Sequence, residues 1–264
     1  MTVTREVPAF RTQPAPAHTE TGRGVELTIV IPAFNEEERL PASLGAISAY
    51  LAARPSAPRV EVLVVDDGSG DATAACAEDA GRHYGLDLRV LRLPKNSGKG
   101  FAVRTGCLEA RGRFVLVTDA DLSTPIYEWE KLAAAGVPVA IGSRALDDSL
   151  VKEEQPLYRK AMGKLFNRLV RLVAVPGITD TQCGFKLFSR EAAREIFSRA
   201  KVDRFAFDVE ALLLARQLGY AIAEVPVLWF NSADSRVTLF GGAQAYWDVL
   251  RICFQTAKLP RRKP

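Results

Sequence analysis

Histidine is almost missing from this chain: 264 residues hold two, His18 near the N-terminus and His83 late in an expected surface helix. A reaction that depends on a histidine base is therefore not expected. Cysteine is sparse as well. Cys76, Cys107, Cys183 and Cys253 stand far apart with no Cys-x-x-Cys pair, which argues against a zinc site and a disulfide framework and fits a reducing cytoplasm. No run of about 18 apolar residues occurs, so no transmembrane helix is expected, and the N-terminus offers no apolar segment suited to a signal peptide. Charge of one sign is also lacking. A net charge of +4 is too weak to argue for nucleic acid, although six basic residues and one acidic residue fall between Arg236 and the C-terminus.

What is present is ordinary for a globular protein: 48% apolar and 25% charged residues. Residues 1–24, with Pro8, Pro14 and Pro16, read as a disordered tail. Strands are expected at Val25–Pro32, Val60–Val65, Leu88–Leu93, Phe114–Thr118 and Val137–Ile141. Helices follow them, one opening at Pro41, where proline suits a first helical position, one that Asp71 can cap, and one running to about Ala110. Strand and helix alternate through residue 142, the pattern of an α/β fold with a mostly parallel central sheet covered by helices on both faces. After Arg144 the pattern changes. An amphipathic helix is expected over 157–174, with Leu157, Ala161, Leu165, Leu169 and Leu172 on one side and Lys160, Lys164, Arg168 and Arg171 on another. Short helices near 190–198 and 207–218, a strand over Ile222–Trp229 and a terminal helix near 243–257 complete a single domain over 25–257. Its nucleotide-binding half is 25–144 and its acceptor half 145–257, and a basic tail covers 258–264.

Polar clusters sit where these strands end. Asp119 and Asp121 follow the Phe114 strand, Asp66 and Asp67 the second strand, and Asn35 and Glu36 the first. In an open α/β sheet ligands bind at the carboxyl ends of the strands. An Asp-x-Asp there is a hard-oxygen site suited to Mg²⁺ or Mn²⁺, or else an Asx-type turn closing a strand. Three clusters in register favour the site, because their mutual repulsion needs a cation or a donor network. Gly98-Lys99-Gly100 is not a P-loop: Leu93 stands where the first glycine would be and Gly100 where Ser or Thr is required. Lys99 at a helix start either meets a phosphate or is a solvated lysine.

The runs Ile-Val-Ile-Pro-Ala-Phe-Asn-Glu, Val-Val-Asp-Asp-Gly-Ser, Asp-Ala-Asp and Gly142-Ser-Arg144 resemble family 2 glycosyltransferases of the GT-A fold. Asp180-Thr-Gln-Cys-Gly-Phe-Lys-Leu-Phe188 and Phe207-Asp-Val-Glu210 resemble the polyprenyl- or dolichyl-phosphate members, the glucosyl branch above all. The resemblance covers about residues 26–255. It implies a sugar nucleotide lying across the sheet rim, with Asp67 reading the base edge beside Asp66 and Pro32, Phe34, Asn35 and Glu36 around the nucleoside. Asp119, Ala120 and Lys99 would lie along the nucleotide. Asp121, with Asp119, would hold the divalent cation on the diphosphate; relatives can supply a further ligand where this chain has Ser123. Arg144, Arg159, Lys186 and Arg236 match basic positions near donor diphosphate or acceptor phosphate.

The implied reaction is transfer of a hexose from a UDP- or GDP-sugar to a polyprenyl phosphate, with inversion. Such an acceptor is already ionised near neutral pH, because the second phosphate pKa is about 6, so a strong base is not needed. With a soluble acceptor, Asp180 could instead serve as the base; a mannosyl donor and a nucleotide-binding module without catalysis are the other readings. A lipid acceptor implies a protein lying peripherally on an anionic membrane. The 157–174 helix is one candidate contact. The other is the C-terminal helix bearing Tyr246, Trp247, Leu250 and Phe254 ahead of Lys258, Arg261, Arg262 and Lys263.

Overall fold

The computed structural model describes residues 24–54, 59–147, 177–204 and 206–230. Two sequence runs dominate its centre. Strands β1 (Leu27–Ala33) and β2 (Val60–Asp66) are buried at every position, as near-continuous apolar runs are when helices cover both faces of a sheet. β3 (Leu88–Arg92), an apolar run broken by Arg89 and Arg92, takes one edge and is only partly buried. β4 (Phe114–Val117), β5 (Val139–Ser143), β6 (Lys186–Ser189) and β7 (Ile222–Pro226) complete a seven-stranded sheet in the order β3-β2-β1-β4-β6-β5-β7. β6 is antiparallel to β4 and β5; the other six strands share one direction.

Successive residues of a strand face opposite sides, and β1 divides the core accordingly. Val30 packs with α3 (Lys99–Glu109), α5 (Arg190–Phe197) and α6 (Phe207–Gln217). Ile29 and Ile31 pack with α1 (Leu40–Ala52), α2 (Thr73–Tyr84) and α4 (Trp129–Ala134) on the other face. Each fully buried Leu or Ile in these layers contributes roughly 1.5–3 kcal/mol.

The expected strands and helices recur with ends shifted by a residue or two, and Pro41 opens α1 as expected. Three details differ. First, β6 was not legible as a strand, because Lys186 interrupts its apolar run. Second, the last strand stops at Pro226 rather than Trp229: β5, the strand it pairs with, ends at Ser143, whose carbonyl takes the Val227 N–H at 3.2 Å as the last rung. Third, Asp71 is not the N-cap of α2. Ala72 holds that place, and Asp71, one residue earlier, still accepts from the Thr73 N–H at 3.0 Å. The 157–174 and 243–257 helices, Arg159, Arg236 and the basic tail lie outside the described residues. Among the described residues no helix is long and apolar enough to cross a membrane.

Candidate active site

Parallel pairing brings the carboxyl ends of β1, β2 and β4 to one rim. Asp66 closes β2, Asn35, Asp67, Asp119 and Asp121 come within four residues after those ends, and Arg144 follows β5. Because β6 runs the opposite way, its first residue, Lys186, comes to the same rim between Val117 and Ile141.

On the β1–β2 side Asn35, Asp66 and Asp67 are held by neutral donors. Asn35 adopts a left-handed backbone (φ 55°); its N–H donates to Ser69 Oγ and its Oδ1 accepts from the Gly70 N–H, each at 2.9 Å. The Glu36 N–H donates to Thr73 Oγ1 at 2.7 Å, while the Glu36 carboxylate takes two bonds from Arg39 at 2.6 and 2.7 Å. Asp66 accepts from the Ser69 N–H at 3.0 Å. Asp67 is buried, and its two oxygens accept from the Ser97 N–H at 2.7 Å and the Gly98 N–H at 2.8 Å. Pro32 is enclosed in β1, and Phe34 stands exposed at the rim.

The start of α3 links this side to the next. A Cβ on Gly98 would come within 2.3 Å of the Asp203 carbonyl oxygen, and one on Gly100 within 2.4 Å of that of Val202. These glycines therefore admit the 202–203 backbone, whose Asp203 carbonyl accepts from the Phe101 N–H at 3.1 Å. Lys99, between them, is not a solvated lysine: its Nζ donates to Asp119 Oδ1 at 2.5 Å. Burial works against the Lys99 charge, but Asp119, Asp208 and Asp121 outweigh it and raise its pKa. Asp119 is likewise held below the usual carboxylate range: burial opposes ionisation, and Lys99, Lys186 and Arg144 overcome it.

Beyond β4 the carboxylates are answered by cations. Arg144 forms a fork with Asp180, Nε to Oδ2 at 2.7 Å and Nη2 to Oδ1 at 2.9 Å, and adds its N–H at 3.0 Å. Asp180 is 1% exposed, and although burial would raise its pKa, Arg144 and Lys186 keep it low. Its own N–H and that of Thr179 donate to the Glu224 carboxylate at 2.7 and 2.8 Å. Such a carboxylate braces Arg144 and is poorly suited to accept a proton. The Arg144 guanidinium lies 5.6 Å from the centre of the Trp229 ring, an attraction of cation and ring. Lys186 is buried rather than presented to a phosphate, and its Nζ donates to Asp208 Oδ1 at 2.5 Å and to the Cys183 carbonyl. Burial pushes the Asp208 carboxyl up, with Lys186 and Lys99 pulling against it.

Asp121 stands apart. It is half-buried, its Oδ1 accepts from the Ser123 N–H at 3.0 Å, and among the described residues no lysine or arginine forms an ion pair with it. The turn carrying it is fixed by Leu122 at φ 46° and by the Ala120 carbonyl, which accepts from Ser43 Oγ at 2.6 Å. The cluster thus sets Asp119, Asp121, Asp180 and Asp208 among the cations Lys99, Arg144 and Lys186, and Asp121 is the one of these four carboxylates with no ion pair among the described residues. A carboxylate-lined site of this kind suits Mg²⁺ or Mn²⁺. Among the described residues no group of three or more His, Cys, Asp and Glu side chains is arranged to hold a metal ion.

Sequence reasoning gave no role to Asp208, Glu224 or Gly184. A lysine inside the buried run Phe185-Lys-Leu-Phe188 demands a carboxylate partner, a signal that could have pointed to Asp208, which the motif Phe207–Glu210 contains. Nothing local marks Glu224.

The chain from 28 to 197 matches the model of glycosyl transferase family 2. It is 41% identical over 234 residues to a dolichyl-phosphate beta-glucosyltransferase of Drosophila melanogaster, covering 84% of this chain and 72% of that protein. A dolichyl-phosphate beta-glucosyltransferase of Homo sapiens is 40% identical over 228 residues, 81% of this chain and 70% of the relative. Among solved structures, glucosyl-3-phosphoglycerate synthase from Mycobacterium tuberculosis in complex with Mn²⁺, UDP and phosphoglyceric acid superposes with a TM-score of 0.65. That match has 20% identity and covers 90% of this chain and 80% of the other.

Proposed function

The chain belongs to glycosyl transferase family 2, and we propose that it transfers glucose from UDP-glucose to a dolichyl or other polyprenyl phosphate, inverting the anomeric carbon. The observation that carries this reading is Asp121, the clustered carboxylate with no cationic partner among the described residues, facing a rim lined by Lys99 and Arg144. The likeness to dolichyl-phosphate beta-glucosyltransferases at about 40% identity supplies the sugar and the acceptor.

Asn35, Glu36, Asp66 and Asp67 border the nucleoside, and Asp119 and Asp121 are the residues that would hold a divalent cation. When bound, such a cation would supply positive charge for the departing UDP. Lys99, now paired with Asp119, exchanges that partner for a phosphate oxygen, and Arg144, fixed in orientation by its fork with Asp180, presents its remaining N–H groups to phosphate. No residue need remove a proton, because a lipid phosphate arrives ionised near neutral pH. This agrees with a rim that has no histidine among the described residues and an Asp180 already committed to Arg144. Direct displacement on an α-linked donor yields a β-linked product, in keeping with the relatives' names.

A lipid acceptor places the work at a membrane surface. Lys160, Lys164, Arg168 and Arg171 lie outside the described residues; their three- to four-residue spacing in the sequence is the basis for proposing peripheral binding, each basic residue near anionic lipid adding roughly 1 kcal/mol.

The test is a panel: short polyprenyl phosphate or a soluble phosphate acceptor, with labelled UDP-glucose or GDP-mannose, with and without chelator. Expected are transfer from UDP-glucose to the polyprenyl phosphate, loss with chelator, recovery with Mn²⁺ or Mg²⁺, and a β-linkage by NMR. Transfer from GDP-mannose alone, exclusive use of the soluble acceptor, or full activity in chelator overturns the corresponding part.

A further inference from the structure

Gly184 lies directly against the side chain of Asp119. A Cβ there would stand 2.3 Å from Oδ2 and 2.8 Å from Cγ, so bare backbone forms one wall of this carboxylate. The carbonyl just before that backbone, Cys183 O, accepts from Lys186 Nζ. The same Nζ donates to Asp208 Oδ1 at 2.5 Å, and Lys186 is 2% exposed. A buried ammonium has no water to turn to, so these two acceptors fix where it sits, and through it where the Cys183–Gly184 peptide sits. Asp208 is in the first turn of α6, remote in sequence from the carboxylate it influences.

We propose that Asp208 is a positioning residue for Asp119, acting through Lys186 and the Cys183–Gly184 peptide. The inference rests on the reading of Asp119 and Asp121 as the pair that holds the cation. Without Asp208 the Lys186 ammonium loses its counter-charge and is drawn toward the nearest remaining carboxylates. The charge of Asp119 already feels Lys186, so the ammonium competes there with a divalent cation, and the peptide wall is released at the same time. Partners that orient a metal ligand from behind carry much of a site's affinity.

The test uses the full chain. Asp208→Asn keeps the volume and an acceptor for Nζ but removes the charge. Calorimetric titration of Mn²⁺ into the UDP-saturated protein should show affinity about tenfold or more weaker than wild type, while UDP binding measured without Mn²⁺ is unchanged. Turnover should fall with the Mn²⁺ affinity, and the KM for UDP-glucose should move less. A purely structural role would lower thermal stability and leave the Mn²⁺ affinity of the folded protein alone. Should Asp208→Asn fail to fold, the double variant Lys186→Met with Asp208→Leu replaces the buried pair by apolar groups of similar size, an exchange proteins often tolerate. It also removes the brace on Cys183 O, so it too must lose Mn²⁺ affinity. Mn²⁺ affinity within about twofold of wild type in whichever variant folds overturns the proposal. Asp121→Ala runs alongside: if it also binds Mn²⁺ normally, the cation reading has failed and the inference falls with it. If only Asp121→Ala loses Mn²⁺, the positioning role alone is refuted.

Discussion

Asp66 and Asp67 at the end of β2 and Asp119 and Asp121 after β4 belong to one rim, two strands apart, yet the fold treats them in opposite ways. The first pair is answered by neutral donors: the Ser69, Ser97 and Gly98 N–H groups. The second belongs to a group of carboxylates answered by Lys99, Arg144 and Lys186. Amides stabilise a carboxylate in place without cancelling its charge, and they tie it to backbone; ion pairs cancel charge and can exchange partners. In the proposed function, the amide-braced side holds its shape around a neutral nucleoside, and the cation-rich side, with Asp121 left over, receives phosphates and a metal together.

The comparison breaks most visibly at Asp121. Asp121→Ala should lower transfer by about a hundredfold or more while thermal unfolding stays near wild type, since the residue has one backbone partner to lose. Activity within a few-fold of wild type in excess Mn²⁺ would place the metal elsewhere. Gly184→Ala comes next: a methyl 2.3 Å from Asp119 Oδ2 must displace it, and turnover should drop by roughly tenfold or more. Unchanged kinetics in that variant would mean the wall is dispensable.

Asp180→Ala sharpens the contrast from the ion-paired side. It strands Arg144 partly buried, with an expected stability loss of about 3 kcal/mol by urea unfolding, together with lower turnover. On the amide-braced side Asp67→Ala leaves two backbone N–H groups without an acceptor, a loss of about 2 kcal/mol. Donor KM should rise more than turnover falls, because a shape-holding contact acts on ground and transition states alike; normal KM with low turnover would contradict that. The smallest effect is on pH dependence. The folded pKa of Asp180 lies below its unfolded value of about 3.9, so its contribution is fully present above that value and is lost as pH falls through the folded pKa. Unfolding series should therefore show wild type and Asp180→Asn separated by a constant gap from neutral pH to about 4, narrowing only in stronger acid. A gap that closes nearer neutral pH would show that Arg144 does not hold Asp180 ionised.

The sequence alone determined the layered sheet and the rim. Val60–Val65 and Phe114–Val117 are apolar runs whose burial is a local property, and the acids after them follow wherever a parallel strand ends. It also carried the family motifs from Ile29 to Phe188. Only the tertiary structure decided which partner each acid received. Asp67 meets amides 30 residues away, Lys99 meets Asp119 rather than solvent, and Asp180 is spent on Arg144. β6 and the Lys186–Asp208 pair stayed hidden for the same reason. A lysine in an apolar run breaks the periodicity that marks a strand, and the charge that makes its burial affordable comes from the start of α6, brought near by packing alone.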